Sequence, residues 1–202
     1  MDIFKRCWTK TNEKAVRAIF NKLADDPHKK LILEMLDKKE ANIWLVLSFL
    51  AQTAKPKEYL EIGVRRGFSM AVVAQRCRTC NLTGIDLWVP GYGGADNPGP
   101  EFVEQQIALM GHKGNVNLIT GDSKQVLPDL IGSFDLILVD GDHTTEGGYR
   151  DIILSYELLK PGGYIVVDDL DYEPTALAWE RALAELQPVH YQEGKVGVII
   201  GG

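Results

Sequence analysis

Two stretches of this chain break from apolar runs straight into carboxylates: FDLILVDGDH, Phe134 to His143, and LKPGGYIVVDDL, Leu159 to Leu170. A short apolar run that ends in acidic residues is the pattern of a buried parallel strand whose C-terminal end opens into a site. Asp140, Asp168 and Asp169 then become neighbours at adjacent strand ends. Their hard oxygens suit Mg²⁺ or a similar ion, and a cation is the simplest way to keep three bunched carboxylates ionised in a low-dielectric cleft. Asp142 and His143, just beyond the first of them, are residue types that accept and donate protons.

A second constellation lies upstream. EYLEIGVRRGFS, Glu58 to Ser69, reads as a strand, a glycine turn and a helix start. Gly63 and Gly67 let the backbone turn tightly and approach a ligand, and a helix N-terminus presents N–H groups to an anion. Asp86 closes the next apolar run about twenty residues on, where an acidic side chain is placed to bind both hydroxyls of a ribose. Gly121-Asp122-Ser123 ends a third strand and is in position to edge an adenine ring, with Asp122 equally suited to cap the helix that follows. The G-x-G-x-x-G of a nicotinamide-binding domain is absent, because Val64-Arg65-Arg66 fills the interval between the glycines.

These residues need a scaffold, and the hydrophobic periodicity supplies one. From Asn12 to about Ala54 apolar residues recur at helical spacing, through Val16, Ile19, Phe20 and Leu23 and again through Leu31, Met35 and Leu36, with a break at Asp25-Asp26-Pro27. The run Ile43 to Leu50 is apolar nearly all round and must be covered by the sheet or by another subunit. Beyond Lys55-Pro56-Lys57 strands alternate with helices. The pattern predicts strands near 58–63, 81–86, 115–120, 134–140 and 164–169, with helices near 68–78, 101–111, 123–131, 147–159 and 174–186. Two final strands near 188–193 and 195–200 are joined by Glu193-Gly194-Lys195, too short for anything but an antiparallel hairpin. The Gly- and Pro-rich stretch Trp88 to Pro100 would overhang the pocket, with Trp88 or Tyr92 available to an aromatic or sugar face.

Composition excludes several functions. A chain of 202 residues with 45% hydrophobic content has room for one globular unit. Its net charge of -6 opposes nucleic-acid and membrane-surface partners. No apolar stretch reaches the roughly 20 residues of a membrane span, and the first residues lack the apolar core of a signal peptide, so a cytoplasmic protein is expected. Cys77-Arg-Thr-Cys80 has the C-x-x-C spacing but no second pair or nearby His, and reads as structural.

The order EIGVRRGFS, GID, GDS, VDGDH and LKPGGYIVVDD, from about Tyr59 to Leu170, resembles the class I S-adenosylmethionine-dependent methyltransferases. Among them it is most similar to the metal-dependent small-molecule O-methyltransferases: the catechol type, the macrocin type and the cephalosporin-hydroxylase-like group. The resemblance implies an α/β fold, a doubly wound, mostly parallel seven-stranded sheet ending in an antiparallel hairpin. A helical extension over residues 1–55 would precede the cofactor-binding domain, 56–202. It further implies that Gly63 and Gly67 turn beneath the methionine part of the cofactor, with Glu61 supporting the loop and Ser69 at the methionine carboxylate. Asp86 would take the ribose hydroxyls, Asp122 and Ser123 the adenine, and Asp140 would face the cofactor while ligating a metal with Asp168 and Asp169. His143 stands where catechol-type enzymes carry a catalytic lysine, and Asp142 is the rival base, since macrocin-type enzymes share its D-G-D. The expectation is methyl transfer to a small hydroxylated acceptor with Mg²⁺ or a related ion, and a homodimer contact through the extension. Two alternatives stay open: a metal-independent methyltransferase of the same fold, and a non-catalytic S-adenosylmethionine-binding module.

Overall fold

The computed structural model describes residues 3–38, 41–91 and 97–202. Four helices come first: α1 (Ile3–Cys7), α2 (Lys10–Lys22), α3 (Pro27–Lys38) and α4 (Ile43–Ala54). Thr9 caps α2 by accepting from the Asn12 amide, and Asn42 caps α4 by accepting from the Leu45 amide. Lys55, in the left-handed region at φ 51°, ends α4 and turns the chain into the sheet.

The remainder alternates as the periodicity predicts: β1 (Glu58–Ile62), α5 (Phe68–Arg76), β2 (Asn81–Asp86), α6 (Pro100–Leu109), β3 (Val116–Thr120), α7 (Ser123–Val126), β4 (Phe134–Val139), α8 (Thr145–Glu157), β5 (Leu159–Val167), α9 (Glu173–Leu186), β6 (Val189–Glu193) and β7 (Val196–Ile200). The helix expected over 123–131 stops at Val126 and continues as a 3₁₀ turn over Leu127–Asp129, because Pro128 has no N–H for an α-helical bond. The fifth strand begins at Leu159, ahead of the start expected at Tyr164. Leu159 already pairs with Phe134, and the register shifts before Leu136 meets Tyr164.

The sheet runs β3-β2-β1-β4-β5-β7-β6, parallel from β3 to β5 and antiparallel at β7 and β6. This is the seven-stranded, hairpin-ended sheet expected from the sequence. Alternate residues bury on opposite faces, as pleating requires. Leu136 and Leu138 of β4 join the cluster under α1 to α6, while Ile137 and Val139 join the one under α8 and α9. The first cluster runs unbroken from Phe4, Phe20 and Leu47 of the N-terminal helices to Tyr59 and Val72. It answers what covers the apolar α4: Leu45, Leu47 and Leu50 are buried within this one chain, without a second subunit. Among the described residues no helix is long and apolar enough to cross a membrane. The C-x-x-C cysteines are free thiols, and Cys77 Sγ donates to the Pro56 carbonyl at 3.2 Å.

The strand order reverses between β1 and β4, and in open α/β sheets ligands bind in the crevice at such a reversal. Two backbones meet there at very short range. Gly63, at φ 87°, follows β1, and a methyl group on it would lie 1.9 Å from the carbonyl oxygen of Asp140. Gly63→Ala is therefore expected to cost about 2–4 kcal/mol, from left-handed strain plus a collision with main chain. A urea denaturation midpoint measures it; a loss below about 1 kcal/mol would show that the two strand ends can part.

Candidate active site

The crevice has a buried carboxyl of its own. Glu61, on β1 just before the turn, is fully buried. The Ser69 hydroxyl donates to its Oε1 at 2.5 Å and the Tyr59 hydroxyl to its Oε2 at 2.7 Å. Burial pushes its carboxyl up to about 8, against the pull of these two donors. Ser69, expected at the methionine carboxylate, is thus engaged with Glu61. Gly67 starts α5 at φ 67° with no side-chain capping bond, so no side chain competes for the first amides of that helix.

Asp86 lies at the end of β2, as expected, and organises the loops on both sides. Its Oδ2 accepts from the Arg65 amide at 2.7 Å, and its Oδ1 from the Trp88 amide at 2.6 Å and from Asn97 Nδ2 at 3.2 Å. Trp88 is turned back onto the sheet, its indole N–H donating to Thr120 Oγ1 at 3.0 Å. Tyr92, the other aromatic expected at the pocket mouth, lies outside the described residues. Asp122 caps α7 by accepting from the Lys124 amide at 3.0 Å. Ser123 is buried, and burial pushes Asp151, a wholly buried carboxylate on α8, up to about 6 against the pull of Ser123.

The acidic strand ends converge, though not as three equivalent carboxylates. Asp140, His143 and Asp169 each offer an atom within 4.8 Å of the others. His143 Nε2 is 3.0 Å from Asp169 Oδ2 and 3.8 Å from Asp140 Oδ1. Asp168 is turned elsewhere: its Oδ1 takes the Asp169 amide at 2.8 Å and Lys195 Nζ at 3.1 Å. Lys195 also reaches Asp169 Oδ1 at 2.8 Å. Asp169 sits in the left-handed region at φ 58°, rare for a residue other than glycine and often a mark of a functional turn.

The charges set each group's state. Burial and the neighbouring charges of Asp168 and Asp169 hold the Asp140 carboxyl well above its usual range. Burial likewise raises Asp168 to about 6, against the attraction of Lys195. The His143 hydrogen bond, followed by Lys195, holds Asp169 well below the usual carboxylate range, and the same bond raises His143. Asp142 faces away from this cluster. Against the cost of partial burial, Lys124 at 2.8 Å and the Thr144 amide at 2.8 Å keep it ionised and occupied.

Sequence reasoning missed Lys195, Lys124, Asp151 and Tyr59. Lys195 had a topological signal. A strand antiparallel to β5 must begin beside the end of β5, so the turn before β7 falls at the acidic pair, as the pairing of Val167 with Gly197 shows. The other three had no signal beyond their residue type.

The fold agrees with what known proteins show. Residues 60–170 match the family model described as a methyltransferase domain. An uncharacterised protein of Acanthamoeba polyphaga mimivirus is 32% identical over 166 residues, covering 76% of this chain and 72% of that protein. The caffeoyl-CoA O-methyltransferase of Stellaria longipes is 30% identical over 131 residues, 61% of this chain but only 50% of the plant enzyme. The structure of the O-methyltransferase TomG from Streptomyces achromogenes, in complex with SAM, superposes with a TM-score of 0.64 at 19% identity, covering 93% of this chain and 90% of that one. An O-methyltransferase from Bacillus cereus in complex with SAH gives 0.60 at 15% identity, covering 95% and 91%. The chain belongs to the methyltransferase domain family, and is the class I S-adenosylmethionine-dependent enzyme that its motifs implied.

Glu61 makes this crevice sensitive to pH. A carboxyl near 8 in the folded chain and near 4.5 when unfolded binds its proton more tightly in the native state. Its contribution is therefore present in full below the unfolded value and is lost as pH rises from about 4.5 to about 8, at up to about 1.4 kcal/mol per unit. Denaturant titrations across that window are expected to show Glu61→Gln flattening the decline. An unchanged slope would mean that Glu61 is already ionised when the chain folds.

Proposed function

We propose that the protein transfers a methyl group from S-adenosylmethionine to a hydroxyl of a small molecule, assisted by Mg²⁺ or a related divalent ion. The observation that carries this reading is the meeting of Asp140, His143 and Asp169 directly beside the Gly63 turn, at the sheet's reversal point. A nucleoside cofactor held by that turn and by Asp86 would have its reactive end next to two carboxylates and an imidazole.

The donor set suits both groups. The carboxylates of Asp140 and Asp169 are ordinary oxygen ligands for a small divalent ion, and Asp140, held up by burial and by its acidic neighbours, is the one that an added cation would relieve. Bound S-adenosylmethionine supplies an electrophilic methyl on a sulfonium, which the Gly63 and Gly67 turn, Glu61 and Ser69 would hold by its methionine part. Asp86 would take the ribose hydroxyls, sharing its oxygens with the Arg65 and Trp88 amides it binds. Asp122, Ser123 and the face of Asp140 complete the cleft. A bound cation supplies Lewis acidity, which eases removal of a hydroxyl proton.

The proton falls to His143. Asp169 holds the ring through Nε2 at 3.0 Å, and the imidazole, once neutral, can take a proton, whereas the carboxylate of Asp142 is occupied by Lys124. Because Asp169 raises His143, the base is neutral only at pH above its ordinary value of 6.5. What remains for the protein is alignment of oxygen, methyl carbon and sulfur in one line. A second reading, metal-independent transfer on the same fold, draws support from Lys195, which already places a positive charge on Asp168 and Asp169. Under either reading a chain of net charge -6 favours a small acceptor over a polyanionic one.

Three measurements test this. Transfer of labelled methyl to catechol or another simple phenol should stop in excess chelator and return with Mg²⁺ or Mn²⁺; transfer that continues unchanged refutes the role of the ion. Asp86→Ala should weaken binding of S-adenosylhomocysteine at least about tenfold by calorimetry, the cost of a lost pair of charged hydrogen bonds. The acid limb of kcat against pH should lie above 6.5 and vanish in His143→Gln, whose rate falls about 100-fold or more. An acid limb retained in that variant would transfer the base to another group.

A further inference from the structure

Lys195 is the lysine that reaches the acidic strand ends, and it comes from the opposite edge of the site, on the turn before β7. Its Nζ sits 3.1 Å from Asp168 Oδ1 and 2.8 Å from Asp169 Oδ1. Its main chain is tied to the same turn, since the Leu170 amide donates to the Lys195 carbonyl at 2.9 Å. The β6–β7 turn thus grips Asp168-Asp169-Leu170 by both side chain and backbone. Asp168 is only 5% exposed, and its Oδ1 is shared between Lys195 and the Asp169 amide. Asp169 splits its oxygens, Oδ1 to Lys195 and Oδ2 to His143.

We infer that Lys195 is a positioning residue: a resident ammonium that withdraws Asp168 from the metal-ligand set, so that the carboxylates of Asp140 and Asp169 are the donors left to a divalent ion, with His143 kept for the proton. The inference rests on the metal reading proposed above and specifies its ligands. The physics is a competition for carboxylate oxygens: Lys195 takes Oδ1 of Asp168 and Oδ1 of Asp169, and leaves Asp169 Oδ2 on the side of His143 and Asp140. A lysine held by β-hairpin backbone loses little freedom when it pairs with Asp168, whereas an entering ion must displace that ammonium to gain the same oxygen. The buried pair also lowers the local negative charge by one, so the ion meets a smaller attraction than three free carboxylates would exert. Lys195 therefore weakens the site and restricts it to fewer protein oxygens, leaving more of the ion's positions for water and the acceptor hydroxyl.

Mn²⁺ titrated by calorimetry into the intact protein and its variants tests this, with S-adenosylhomocysteine affinity measured alongside as the check on folding. Lys195→Met is expected to bind Mn²⁺ at least about tenfold more tightly than the unaltered chain, and Lys195→Arg to stay within about threefold of it. Asp168→Asn should change Mn²⁺ affinity less than about threefold when Lys195 is present and at least about tenfold in the Lys195→Met background. Equal or weaker Mn²⁺ binding by Lys195→Met overturns the inference. So does an equal loss from Asp168→Asn in both backgrounds. If Lys195→Met fails to fold, Asp168→Asn alone still decides, because a loss of about tenfold with Lys195 in place makes Asp168 a ligand. The metal reading fails separately: were Lys195→Met to bind Mn²⁺ while the unaltered chain binds none and ignores chelator, the assisting ion would be refuted and the role of Lys195 upheld.

Discussion

The close approach of Gly63 to the carbonyl of Asp140 is the constraint on which this site depends. It joins the ends of β1 and β4, the two strands at the point where the sheet reverses direction, with no room for a side chain between them. Backbone bonds hold each end in place: the Asp140 amide donates to the Ile62 carbonyl and the Gly63 amide to the Ile85 carbonyl, each at 2.9 Å. Everything chemical in the crevice is hung from this junction. The glycine turn lies on one side of it, and the acidic loop ending in His143 on the other. Because the sheet beneath is buried on both faces, neither side can drift without opening a packed core.

Around that junction the protein concentrates carboxylates that repel one another, and it manages them in different ways. Glu61 is sealed in and satisfied by two hydroxyl donors. Asp86 is engaged with loop amides, and Asp142 is paired with Lys124 at the rim. Asp168 and Asp169 are gripped by Lys195, and Asp169 by His143 as well. Asp140 is the member of the set left with like charges as its main electrostatic neighbours. This uneven distribution gives the cleft a direction, with loop amides gathered by Asp86 on one side and the imidazole of His143 held by Asp169 on the other.

Much of this was legible in the residues. The seven strands and their order of appearance followed from alternating apolar runs, since a parallel strand buried on both faces reads as a near-continuous hydrophobic segment. The motif spacing pointed to the family. Less visible was the interior of each segment: Pro128 shortens a helix that periodicity carried further, and β5 begins early because a shifted register lets Leu159 reach Phe134. At the site, residue types were found but not their partners. Ser69 answers to Glu61, Trp88 folds back onto Thr120, and Asp168 faces Lys195, none of which follows from distance along the chain.

The sequence by itself determined which residues stand at the ends of buried strands, because hydrophobic periodicity and glycine spacing are local properties. It thereby determined the fold class, the methyltransferase family and the acidic strand ends from which the proposed site is built. Only the tertiary structure decided how the charges are divided. Hydrogen bonds and ion pairs act over about 3 Å. The residues that form them here, Lys195 with Asp169, His143 with Asp169 and Asp86 with Arg65, are separated by 26, 26 and 21 positions in the chain. How each carboxylate is partnered is settled by those distances, and they exist only once β2 has been laid beside β1, and β4 and β7 beside β5.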